Sequence, residues 1–272
     1  WISLVGVAAI AGLSAMGCAS ETAPVDEQVA SEVEENALVN MDHTDVERQS
    51  IGNCWIYAHA SWVESMHKTA TGEAFDASQS YWTYWHWFES ITGKSGFGAL
   101  TGTEIETGGS WQVANNLVRR YGLIAEKDFV PEDTGAEMSS RQKDSLTAIN
   151  VSLKSGALST AAARRDAKLV RAELDKAWRL GAPVVAQLDA AFGKDGARTF
   201  VTGGGGTTTG TSIVRPQSFK VSYPSRSSTG KVTLKSASLV SAMNDWKQMS
   251  YGSDRAGFQL RLKRALHAAS PV

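Results

Sequence analysis

The chain has 272 residues and a mass of 29.1 kDa, enough for one large domain or two ordinary ones. With 42% apolar and 20% charged residues it can bury a core, which excludes a disordered tail, and a net charge of −1 provides no general field for capturing nucleic acid. Two cysteines exclude a disulfide-rich scaffold and a Cys-only zinc site. The charge is unevenly spread. Residues 1–47 hold nine acids and no Lys or Arg, which leaves 27 basic against 19 acidic residues from position 48 onward. No basic run is interleaved with aromatics, so this surplus reads as a solvated surface and no nucleic-acid partner is expected.

In chain order, Ile2 to Met16 is an uncharged, largely apolar run that suits the hydrophobic region of a secretory signal better than a membrane span. Ala15-Met16-Gly17-Cys18 resembles a bacterial lipobox. That resemblance implies lipidation of Cys18, export to the cell envelope, and membrane contact only through the lipid anchor; plain secretion and a buried apolar helix are the alternatives. The chain opens on Trp1 without Met or a basic leader, so its front is expected to be truncated. Residues 19–45 are acidic and read as an exposed tether or short pro-segment.

From Ser50 the texture changes, and six of the nine tryptophans lie between Trp55 and Trp111. Trp55, Ala58, Trp62 and Met66 recur at helical spacing and predict a helix over 54–68. A second, dense in aromatics, is predicted over 78–90. A third begins at Ser110, with Trp111, Ala114, Leu117, Val118 and Tyr121 inward and Gly122 as its stop. The pattern then predicts a polar helical stretch over about 136–180 and a short buried strand over 183–188. Strand-like pieces follow at 217–223 and 230–235, and a last helix at about 255–268.

Two phosphate-loop candidates fail. Gly93-Lys94-Ser95 has Phe88 where that loop needs Gly, and Gly203 to Gly210 has no lysine. The five histidines show no ligand-spaced pairing with acids, so no metal and no other cofactor is expected.

The informative stretch is Arg48-Gln49-Ser50-Ile51-Gly52-Asn53-Cys54-Trp55-Ile56-Tyr57-Ala58. A cysteine on the first turn of a helix meets the positive end of the helix dipole and several free backbone N–H groups, both of which favour thiolate. Gly52 permits close approach of another chain segment. Gln49 offers an amide donor that, with the Cys54 N–H, can hold an oxyanion. The alternative for this stretch is a small buried cysteine capping an aromatic helix.

Here the sequence resembles the papain-like cysteine peptidases, and the bleomycin-hydrolase-like branch more than papain itself. In that family a Gln precedes Gly-x-Cys-Trp, and the nucleophilic cysteine opens the long central helix. Glu64 stands ten residues after Cys54, where the family has a buried structural Glu. Ser78-Gln79-Ser80-Tyr81 is a looser counterpart of the family's Ser-Glu-Gln-x-Leu. Glu106-Thr107-Gly108-Gly109, followed by Trp111 to Tyr121 and Gly122-Leu123, parallels Cys-x-Gly-Gly, a helix and Tyr-Gly-Leu. The resemblance implies that Gly108 and Gly109 line the cleft and pair with an extended substrate backbone, with Trp55 beside them. Ile51 and Glu106 occupy the positions of a family disulfide, so both halves of that bridge are replaced together. Gln49 stands five residues before the nucleophile, where the family's Gln stands at six.

The resemblance thus implies an α+β, papain-like fold over residues 46–272, with a helical N-terminal half, an insertion at about 133–255 and an incomplete C-terminal β part. It implies a thiol peptidase acting on peptide or protein substrates through an acyl-enzyme on Cys54. The family's catalytic His and Asn patterns do not occur. His59 lies about 140° around the helix from Cys54, and His267 falls on a predicted helix, so the catalytic His and Asn are expected beyond residue 272. A chain ending there is expected not to turn over peptides. Two alternatives remain: a non-catalytic envelope binding protein on the same scaffold, and a Cys-His amidase acting on cell-wall peptides.

Overall fold

Ser78 and Ser110 sit just before aromatic runs with helical spacing, and each nucleates a helix by accepting a backbone N–H through its hydroxyl. The structure, a computed structural model, describes residues 41–94, 99–202, 205–226 and 232–245. Helix α1 (Cys54–Thr71) ends where Gly72 adopts a left-handed conformation at φ 76° and returns its N–H to the Lys68 carbonyl. Helix α2 (Gln79–Thr92) begins with Ser78 Oγ accepting from the Tyr81 N–H at 3.0 Å. Helix α3 (Trp111–Tyr121) begins at Ser110 and stops at Gly122. A short helix α4 (Glu126–Phe129) and a 3-10 turn (Pro131–Asp133) follow.

Helix α2 is the centre of the core. Tyr81, Trp82, Tyr84, Trp85, Trp87, Phe88 and Ile91 are all buried, so the helix is covered on every side. Trp85 stacks on Tyr121 of α3 with ring centres 3.9 Å apart and planes at 5°.

The stretch expected as one helical run over 136–180 is three helices: α5 (Arg141–Ser155), α6 (Ala161–Arg165) and α7 (Ala167–Ala177). Gly156 takes an extended conformation and ends α5. Asp166 restarts the chain by accepting from the N–H groups of Lys168 and Leu169 at 3.1 and 3.2 Å. Arg171 of α7 is buried against α2, where its Nε donates to the Tyr84 hydroxyl at 2.6 Å.

The strand expected over 183–188 is instead part of helix α8 (Ala182–Phe192). Pro183 falls in its first turn, where the missing N–H costs no bond. Val184, Leu188, Ala191 and Phe192 are the buried face, at helical spacing. A short apolar run has no period that separates strand from helix, and the burial pattern extending to Phe192 decides it.

The two strand-like pieces pair as an antiparallel ladder, β1 (Lys220–Arg226) with β2 (Val232–Ser238), placed two or three residues later than expected. A last helix, α9 (Leu239–Asp245), follows directly. The ladder packs on α1, where His67 stacks on Phe219 at 4.3 Å and its Nδ1 lies 2.8 Å from the Lys220 carbonyl oxygen. The architecture is mixed helical with a small two-stranded sheet, compatible with α+β. The expected signal with Cys18, most of the acidic tether, the helix over 255–268 and His267 lie outside the described residues. Among the described residues no helix is long and apolar enough to cross a membrane.

Candidate active site

Cys54 is the first residue of α1, and its thiol is exposed and free. That excludes the small buried cysteine as the explanation of this stretch. In the first helical turn the Ile56 N–H donates to the Asn53 carbonyl at 2.9 Å, which leaves those of Cys54 and Trp55, and no side chain caps them: Asn53, at the capping position, turns away.

Trp55, the next residue, builds the second wall. Its indole N–H donates to the Thr107 carbonyl at 2.9 Å. A side chain at Gly109 would overlap the Trp55 ring. Gly52 faces the same segment, because a Cβ there would lie 2.8 Å from Thr107 Oγ1. The two glycines therefore leave room for side chains, Gly52 for Thr107 and Gly109 for the Trp55 ring, and these contacts hold the strip Thr107–Gly109 against the start of α1. The strip itself is open: Gly108 and Gly109 are exposed, and nothing lies within 4 Å of a Cβ built on Gly108.

The two glycines are thus held by different constraints, which a pair of substitutions separates. Gly109→Ala is expected to displace Trp55 and cost about 1–3 kcal/mol, the usual range for overpacking. Gly108→Ala is expected to stay within about 0.5 kcal/mol of the parent. Urea unfolding of both variants checks this, and equal losses would contradict the assignment of Trp55 as the neighbour that matters.

Gln49 is exposed on the segment that leads into α1, which is anchored one residue earlier by the Arg48 N–H to the Glu137 carbonyl at 2.7 Å. Among the described residues no hydrogen bond ties Gln49 to Cys54. Glu64 is buried and bridges two segments, accepting from Thr44 Oγ1 at 2.7 Å and from the Ala77 N–H at 2.9 Å. Burial holds its carboxyl above the usual range. Met41 to Asp45, the end of the expected tether, runs along α1 through this bond and through the Asp42 N–H to Thr69 Oγ1. Glu47 beside them is pushed up to about 7 by burial and then by the carboxylates of Asp76 and Glu64.

Among the described residues no histidine hydrogen-bonds to the thiol. His59 is fully buried, with rings of Trp62, Trp82 and Trp111 at 5.4, 5.8 and 4.5 Å, and neither ring nitrogen has a hydrogen-bond partner. Burial lowers its pKa to about 3. His86 is also buried, lowered to about 4 by the same cause, and meets the Trp55 ring edge-on at 5.0 Å. Three or more metal-ligating side chains gather nowhere among the described residues.

The buried imidazole of His59 has a measurable consequence. Its folded pKa lies below the unfolded value, so the unfolded chain takes up a proton that the fold refuses. The contribution to stability is complete above about pH 6.5 and is lost as pH falls toward 3. Between pH 7 and pH 5 His59→Phe should therefore gain about 2 kcal/mol relative to the parent, at about 1.36 kcal/mol per pH unit below 6.5. Unfolding by urea at the two pH values measures the difference, and parallel curves for parent and variant would contradict it.

Asn53 and Thr107 carried no signal in the sequence reading; both matter because tertiary contacts place them, and only the close spacing of Gly52 to Cys54 hinted at a crossing segment.

No protein-family model matches the chain. It is similar to Aminopeptidase C of Lactobacillus delbrueckii subsp. lactis, with 27% identity over 122 residues, which is 39% of this chain and 26% of that protein. The matched stretch spans about a quarter of the length of that curated relative. This distant similarity loosely supports the papain-like resemblance.

Proposed function

We propose that the chain carries the nucleophile of a papain-like thiol peptidase and hydrolyses peptide bonds through an acyl-enzyme on Cys54. The observation that carries this reading is the exposed, free Cys54 on the first turn of α1, with Trp55 holding the open strip Thr107–Gly109 beside it. The distant relative's name, an aminopeptidase, supports the same class of reaction.

In this reading the Cys54 thiolate attacks the carbonyl carbon of the scissile peptide. The oxygen that becomes negative accepts from the Cys54 backbone N–H, with Gln49 as second donor once the segment after Arg48 turns it inward. An imidazole protonates the departing amine, the acyl group remains on Cys54 as a thioester, and water then releases it. Gly108 and Gly109 pair with the extended substrate backbone, and the absence of side chains leaves room for it. The partnering imidazole is placed outside the described residues, since His59 is enclosed by indoles, His86 is buried edge-on against the Trp55 ring, His67 is engaged with the Lys220 carbonyl and His43 lies against the Thr44 carbonyl. No cofactor enters this chemistry. Export and a lipid anchor at Cys18 complete the proposal.

The test is hydrolysis of short peptide amides by the full-length protein before and after stoichiometric alkylation with iodoacetamide. Loss of hydrolysis in step with modification of Cys54 is expected. Hydrolysis that survives complete modification, or its absence in the untreated protein, would contradict the proposal.

A further inference from the structure

Asn is among the residues that most often cap a helix through their side chain, yet Asn53 at the start of α1 does not. It is 1% exposed, and its carboxamide points into the protein. Nδ2 donates to Thr83 Oγ1 at 3.0 Å and to Gln142 Oε1 at 2.9 Å, while Oδ1 is buried without a hydrogen-bond partner. An unpaired buried amide oxygen is costly, and the exposed helix start one residue away offers the N–H groups that would satisfy it. Gln142 keeps it from them. This side chain is 0% exposed and lies on α5, and its amide nitrogen donates to the Tyr57 hydroxyl at 3.1 Å and to Ser80 Oγ at 3.2 Å. Exchanging N and O on both amides preserves the Asn53–Gln142 bond, so the inward pose does not depend on that assignment.

We propose that Gln142 is a positioning residue for the chemistry at Cys54: it holds the Asn53 carboxamide inward and off the amino end of α1. The N–H groups of Cys54 and Trp55 then remain free to face the thiolate and the oxygen of a tetrahedral intermediate, while that of Ile56 is held by the Asn53 carbonyl at 2.9 Å. A capping carboxamide would consume one of those donors. It would also place its oxygen, the negative end of its dipole, beside the thiol. The helix that carries Gln142 lies in the stretch that the papain-like resemblance implies to be an insertion. This proposal rests on Cys54 acting as a nucleophile.

The test is the rate of iodoacetamide labelling of Cys54 across pH 5.5–9 in the full-length protein, with tryptophan emission confirming the fold. The parent should label at pH 6.5 about tenfold faster than free cysteine. Gln142→Leu should lower that rate about fivefold, the equivalent of one helix cap. Asn53→Ala added to Gln142→Leu should restore most of it, because Ala cannot cap; a merely structural role for Gln142 predicts a double variant no better than the single one. If Gln142→Leu does not fold, two substitutions at position 53 decide. Asn53→Ser caps the turn and should label about fivefold slower than Asn53→Ala. A folded Gln142→Leu that labels at the parent rate, a double variant without recovery, or equal rates for the two position-53 variants overturns the proposal and leaves the nucleophile standing. A parent that labels no faster than free cysteine overturns both.

Discussion

Cys54→Ala is expected to lower peptide hydrolysis by about four orders of magnitude or more, the scale seen when a covalent nucleophile is removed. Binding and the oxyanion donors alone remain after that substitution. The melting temperature should hardly move. Cys54 is exposed at a helix start, Ala is a good helix former, and surface changes of this kind stay within about 0.5 kcal/mol. The contrast between lost turnover and kept stability separates a nucleophile from a structural thiol. Steady-state kinetics and a thermal melt on the same preparation check it, and a variant with more than a tenth of the parent activity would remove Cys54 from the mechanism.

The second large effect concerns the core that positions the thiol. Trp85→Ala is expected to cost about 3–5 kcal/mol, as for other large aromatic truncations. Trp85 is fully buried, stacks on Tyr121, and meets Tyr81, Tyr84, Phe88 and Phe192 edge-on at 5.0 to 6.3 Å. A domain of this kind is stable by about 5–15 kcal/mol in total, so a large part of the fold's margin rests on this one ring. Urea unfolding should show a midpoint shift at nearly unchanged slope. A loss under about 1 kcal/mol would mean that α2 is not the organising centre.

The helices around the site were legible because their signals are local. Ser110 reads as a cap and Gly122 as a stop, and the aromatic residues of the first three helices recur at helical spacing. Cys54 at a helix start and the approach of another segment to Gly52 could be read from the order of residues, whereas the buried Glu64 followed only from the papain-like resemblance. Two misreadings have a common cause. Pro183 to Leu188 is a short apolar run that fits either a strand or a buried helix. Residues 136–180 hide their breaks at Gly156 and Asp166 inside a polar pattern. The network at Asn53 was illegible for a different reason. Its partners Thr83 and Gln142 lie 30 and 89 residues away, and no local pattern ties either of them to Asn53.

The central claim is that Cys54 is a nucleophile aimed at peptide carbonyls from beside the strip Thr107–Gly109. Incubation of the full-length protein with a peptidyl chloromethyl ketone, followed by peptide mass mapping, tests it most directly. The account predicts one covalent equivalent on Cys54, formed more slowly in the presence of excess peptide substrate. Failure of the reagent to modify Cys54 under conditions where iodoacetamide does so would show a thiol without a peptide-binding cleft, and would contradict the account.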